Sequence, residues 1–305
     1  VKVQTVSTRY PSYHTWIPKL FEAPGIFSTI YQELLYFKSF LDWPLLDDLN
    51  LFLKTHYPLV MGGMGIPLKC VPQPSTRASV PDPFLPWESK ELDFNYQLRI
   101  ALKGEIHTRT RNWHDFFNFI TWCLLPQTKA TLNRAHFWEY EKRASFPWNK
   151  ASFPKRSLAQ DALTLLDEGG LLWVTSCPAL YRSLKEGNWK ECFLDQRNQL
   201  ETHFFGVVLG HALFEDVLKG KQTVHASSLG LLVDPSFFSL SETQQKGWLD
   251  SQFSQELDRL KETLCPQMLS PMPLFGLPQF RQSPWDSSEI LNTNYYRESR
   301  NSFKI

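Results

Sequence analysis

The chain has 305 residues, of which 42% are hydrophobic and 21% charged, with a net charge of +1. These are the proportions of a folded globular protein, and they exclude a disordered chain and a strongly basic nucleic-acid binder. Aromatic residues reach 14%, with 23 Phe and 11 Trp, which predicts a large core rich in rings.

From the N-terminus, "VKVQTVSTRYPSYHTW" lacks the apolar segment of a secretory signal. Residues 26–57 carry Phe27, Ile30, Leu34, Leu35 and Phe37 at helical spacing, and a second helix starts near Pro44. Prolines crowd residues 58–90, a long irregular connection. Within it "MGGMG" at 61–65 has neither GxGxxG nor Walker spacing and reads as a turn. "NWHDFFNFITWCLL" then predicts a helix with Asn112 as N-cap, Asp115 in its first turn, and Pro126 as its end. Thr128 is the expected cap of a second helix reaching about Arg143. In "DALTLLDEGGLLWVTS", two β-prone runs flank Asp167-Glu168-Gly169-Gly170, which signals a hairpin. Residues 189–219 read as one long helix closed by Gly220, and 241–264 as an acidic helix. The expected fold is α+β and helix-rich, a helical core with a small antiparallel sheet or hairpin. One compact domain, 1–305, is expected: N-terminal helices in 1–57, a Pro-rich connection in 58–95, and a core and tail in 96–305.

No run of 18 or more apolar residues occurs, so no membrane span is expected. The five cysteines, Cys70, Cys123, Cys177, Cys192 and Cys265, are scattered and form no CxxC pair. Reduced thiols in a cytoplasm are therefore expected, in place of a disulfide framework or a structural zinc. Charge is uneven: between Arg99 and Arg156, eleven Lys and Arg stand against four Asp and Glu. A solvated face balanced by acids folded nearby is the plain reading, and an anion-binding region is the functional one. Nucleic acid is not an expected partner at this net charge.

The pieces "WHDFFN" (113–118), "PQTKATLNRAH" (126–136), "RSLAQDALTLLDEGG" (156–170), "GHALFE" (210–215) and "PLFGLPQF…NTNYYRESR" span about residues 110–300. In their order and spacing the chain resembles an uncharacterised bacterial family, domain of unknown function 3025. The resemblance implies a soluble bacterial protein and carries no assigned activity.

Three groups of residues could carry chemistry. His211 and Glu215 are four apart on a helix and share a face, which suits two metal ligands or a histidine held in one tautomer by a carboxylate. Lys129, Asn133, His136 and Tyr140 fall within about 60° of one another on their helix, with Asp115 and Asn118 on the helix before. Asp161 stands near Asp167 and Glu168, with Arg156 upstream; Asp-Glu-Gly-Gly by itself is more often a turn. An enzyme built on these would use His136, His211, Asp115, Asp161 and Glu215 for catalysis. Lys129, Asn133 and Arg156 would hold an anion. If a divalent metal is the cofactor, His136, Asp161, His211 and Glu215 are its candidate ligands. No GxSxG, HExxH or Walker signature is present. The expectation is a hydrolase-like enzyme working by acid–base or metal-assisted chemistry on an unknown substrate. The alternative is a non-catalytic protein that holds a phosphate-bearing or acidic partner, a small anionic ligand included, through the basic 99–156 region.

Overall fold

The computed structural model describes residues 14–22, 25–73, 95–144, 156–281 and 294–296. Most of the proline-rich connection and parts of the tail lie outside these residues, as do the side chains of Arg143, Lys150 and Lys155. The described part is a helix-rich α+β structure. Two early helices, α1 (Tyr31–Leu35) and α2 (Leu46–His56), precede strand β1 (Lys69–Pro72), helix α3 (Tyr96–Lys103) and strand β2 (Glu105–Thr108). Helices α4 (Trp113–Leu124), α5 (Pro126–Ala144) and α6 (Leu158–Gly169) follow, and α6 runs directly into strand β3 (Gly170–Thr175). Then come α7 (Pro178–Glu186), α8 (Arg197–Thr202), β4 (Phe204–Val208), α9 (His211–Leu218), β5 (His225–Leu232), α10 (Glu242–Leu260) and β6 (Ser270–Pro273).

Strands β1 and β2 pair in parallel; the larger sheet has the order β4-β3-β5-β6. In that sheet β3 and β5 are parallel and the outer pairings are antiparallel, so a mixed sheet replaces the expected antiparallel one. All residues of β3 and β4 are buried. A strand covered on both faces is apolar throughout and loses the alternation that marks a half-exposed strand. That explains the largest departure from expectation. Residues 189–219 are not one helix: "FFGVV" is strand β4, set between α8 and α9.

Most of the core is one cluster of buried residues that runs from Trp16 to Phe280 and is dense in rings, with a small second cluster of Leu98, Ala101 and Phe137. Trp113, the first residue of α4, stacks on Trp16 at 5.1 Å and packs on Phe117 at 5.3 Å, which fixes the start of that helix. Asn112 caps α4 as its position predicts, its side-chain oxygen accepting from the Asp115 backbone N–H at 3.0 Å. Helix α5 starts at Pro126, and Thr128 is not its cap. The Asp250 carboxylate of α10 accepts from the backbone N–H groups of Gln127 and Thr128 at 3.0 and 2.8 Å. An acid from a distant helix thus does the work of a local cap, where its charge also suits the helix dipole.

Candidate functional site

Glu168 reaches the site because Asp167-Glu168-Gly169-Gly170 is not a hairpin turn. The first three residues complete the last turn of α6, and Gly170 opens β3. The glycines serve a close approach. A Cβ on Gly210 would lie 2.2 Å from the Gly170 backbone nitrogen, and one on Gly170 would lie 2.2 Å from the Leu166 carbonyl oxygen. The backbone N–H groups of Leu209 and Gly210 donate to the Gly170 carbonyl at 3.0 and 2.9 Å. This contact sets the end of α6 against the start of α9, and so puts Glu168 beside His211.

Helix α4 packs against α9 and adds His114. Its Nε2 lies 3.0 Å from His211 Nε2. Glu168 Oε2 is 3.3 Å from His211 Nε2 and 3.9 Å from His114 Nε2. On the far side of the ring, His114 Nδ1 meets Glu215 Oε2 at 3.0 Å, and Lys219 pairs with the other oxygen of Glu215. A carboxylate at Nδ1 favours a proton there and leaves the Nε2 lone pair aimed at His211. Two imidazole nitrogens at that separation are joined either by one proton, in an N–H···N hydrogen bond between neutral rings, or by a metal ion. For a tetrahedral ion with bonds of about 2.0–2.1 Å, ligand atoms sit about 3.3 Å apart. The three observed separations bracket that value.

The electrostatics divide the two rings. The Glu215 hydrogen bond raises the pKa of His114 despite burial. Burial, followed by the nearby Lys129 charge, lowers that of His211 to about 3, which keeps its ring neutral and able to donate a lone pair. Burial and then the Asp167 charge raise the pKa of Glu168, whose side chain is 47% exposed and so open to solvent.

A cavity of about 520 Å³ lies over this cluster, and His114, Glu168, His211, Asp115, His136 and Arg156 are among its lining residues. Of the residues singled out in the sequence, His136, His211, Asp115 and Arg156 thus share one cavity. Asp161 is partly exposed in the first turn of α6 and does not line it. Glu215 stands behind His114 and does not join His211 as a co-ligand, although both belong to α9. Among the described residues, the group with ligand spacing is His114, Glu168 and His211, in place of His136, Asp161, His211 and Glu215. His114 stood next to Asp115 in the sequence without a partner to mark it, and Glu168 was hidden in a turn-like tetrapeptide.

Asp115 is not paired with His136. It accepts from Arg109 at three points, the backbone N–H at 2.7 Å, Nε at 2.9 Å and Nη2 at 2.8 Å, and so braces the loop between β2 and α4. Lys129 and Asn133 are not open to an anion either. Lys129 is 2% exposed. Its Nζ donates to Asp167 Oδ1 at 2.5 Å and to Asn118 Oδ1 at 3.0 Å, and lies over the Trp122 ring. Asn118 in turn donates to the Tyr96 hydroxyl. Asn133 Nδ2 donates to the side-chain and backbone oxygens of Gln97, both at 2.8 Å, and its Oδ1 accepts from Gly63 N–H at 2.9 Å. Burial works against ionised Asp167, but Lys129 and the neighbouring histidines overcome it and bring its pKa to about 2. More of the basic region is paired with carboxylates, Arg99 with Glu105 at 2.5 Å in a partly buried contact and Arg134 with Asp258 at 2.7 Å at the surface.

No described helix is long and apolar enough to cross a membrane. No curated protein and no solved structure matches the chain. A family model described as "Protein of unknown function (DUF3025)" matches residues 84–300, which hold the α4, α6 and α9 residues of the cluster, and the chain belongs to that family.

Proposed function

We propose that the chain is a metal-assisted hydrolytic enzyme whose centre is His114, Glu168 and His211. The observation that carries the reading is the convergence of two imidazole Nε2 atoms and one carboxylate oxygen, all within 4.8 Å of one another, at a solvent-open cavity. Two histidines and one carboxylate are a common catalytic ligand set for zinc and for non-haem iron, which leaves coordination positions free for water and substrate. A divalent ion there would supply Lewis acidity and lower the pKa of a water molecule. The chain's own part is to hold His114 with Glu215 behind it, to keep His211 neutral by burial, and to offer His136 as a neutral acid–base group in the same cavity. A reducing, cytoplasmic setting belongs to the proposal, since all five cysteines are unpaired. A non-catalytic role for the basic 99–156 region has less support, because Arg99, Arg109, Lys129 and Arg134 are each paired with a carboxylate of the chain itself.

The test is elemental analysis of protein purified without chelator, followed by calorimetric titration of stripped protein with zinc, manganese and iron(II). One equivalent of a divalent ion is expected. His211→Ala should weaken its binding by at least about 100-fold, because a direct ligand is lost and outer partners alone are worth 10–100-fold. Hydrolysis of model esters and phosphate esters should follow metal content. Protein that neither retains nor binds any of these ions ends the proposal.

A further inference from the structure

The cavity holds a second feature, separate from the three converging ligand atoms. Its lining is polar, with Asn95, Gln97, Tyr96, His107 and Asn118 among it, which suits a small hydrophilic molecule and argues against an apolar one. Two of its acids are already matched, Asp115 by Arg109 and Asp167 by Lys129. Arg156 is different. Its Nη2 donates to a neutral group, Thr164 Oγ1 at 2.6 Å, and among the described residues no carboxylate forms an ion pair with it. His136, on α5, is 6% exposed and its Nε2 has no hydrogen-bond partner. A buried polar atom left without a partner is uncommon in a folded protein and points to a ligand or water that completes it.

The helix geometry places these groups relative to the centre. Thr164 and Glu168 are four apart on α6, so they share a face and lie about 6 Å apart along its axis. Arg156 is thus anchored about one helical turn along α6 from the residue that carries the Glu168 carboxylate, and both line the cavity. We infer that Arg156 and His136 form an oxyanion subsite beside the His114–Glu168–His211 centre, so that the molecule acted on is small and carries a carboxylate or phosphate group near the reacting atom. Arg156 supplies charge and paired N–H donors, and His136 supplies a neutral N–H. Burial, with Arg156 and Lys129 nearby, keeps that ring neutral by lowering its pKa to about 4. The substrate assignment rests on the enzymatic reading of the centre, whereas the subsite itself does not.

Calorimetric titration with inorganic phosphate and, separately, with acetate tests it on wild-type protein, Arg156→Gln, His136→Gln and His211→Ala. At least one anion should bind wild type and His211→Ala alike. Arg156→Gln should weaken that binding by about 10-fold or more, a loss typical of a hydrogen bond to a charged group. His136→Gln should weaken it less. Preference for phosphate over acetate, or the reverse, then assigns the anionic group. The inference fails if neither anion binds wild type. It also fails if Arg156→Gln binds as wild type does, or if binding vanishes in His211→Ala and survives in Arg156→Gln, since the anion then sits on a metal. Arg156-dependent anion binding in protein that takes up no metal keeps the subsite and removes the metal centre, so the two readings fail separately.

Discussion

Asp167 and Glu168 are neighbours in the chain, yet they end in different surroundings. Asp167 turns inward to Lys129, and its two oxygens are taken up by Lys129 Nζ and Gln97 Nε2. Asn118, Tyr96, Gln97 and Asn133 extend that network through further hydrogen bonds. Glu168 turns, about 100° further round the helix, to two imidazoles whose facing nitrogens lie 3.0 Å apart. The first arrangement is what a buried ion pair needs in order to persist, because an unmatched charge in the interior is costly. The second gathers two imidazole nitrogens and a carboxylate oxygen beside solvent. Both are rich in ionisable groups, so abundance of such groups does not mark a site. What marks it is that two imidazole nitrogens and a carboxylate oxygen converge beside solvent at spacings a metal ion could span.

Breaking the matched network should have the largest effect on stability. Lys129→Ala strands Asp167 in the interior and should cost about 3–5 kcal/mol, read as a lower midpoint in urea unfolding. A variant as stable as wild type would show that the pair does not brace the interior. Lys129→Ala with Asp167→Asn should recover part of the loss, since no charge is then left unpaired.

Acid should separate the cavity histidines from the network next. His136 is buried neutral, with its pKa lowered to about 4 from an unfolded value near 6.5. Between those values the unfolded chain binds a proton that the native ring does not, so the histidine costs stability as pH falls from about 6.5 towards 4. His136→Gln should therefore lose less stability than wild type over that window, by on the order of 3 kcal/mol. His211 has the same sign. His114, whose pKa is raised, has the opposite one: its contribution is complete below about 6.5 and declines as pH rises through the folded value. Equal acid sensitivity of wild type and His136→Gln would mean that the ring is not held neutral.

The smallest expected effect on stability sharpens the comparison most. Glu215→Gln keeps the shape behind His114 and removes the charge that sets its tautomer. Metal affinity should fall by about 10–100-fold while the unfolding midpoint moves little. If the variant loses stability and keeps its metal affinity, Glu215 belongs with the structural brace and not with the centre.

Several local features were legible in the sequence because their causes are local. Asn112 caps α4 through a contact three residues away, and Pro126 marks where one helix gives way to the next. His211 and Glu215 do share α9, as their spacing requires, and the helix-rich α+β class follows from the periodic segments. The remainder depended on contacts between distant residues. A strand buried on both faces, such as β4, has the composition of a buried helix. The cap of α5 comes from Asp250, which no spacing rule connects to Gln127. Glu168 looked like part of a turn because glycines allow both a turn and a close backbone approach, and only Gly210 packed on Gly170 shows which one applies. The sequence alone therefore determined the residue types available, the start of α4 at its Asn112 cap and the placing of His211 and Glu215 on one face. The tertiary structure alone decided that His114, Glu168 and His211 converge, since side-chain chemistry acts over a few ångströms and chain folding sets which groups come that close.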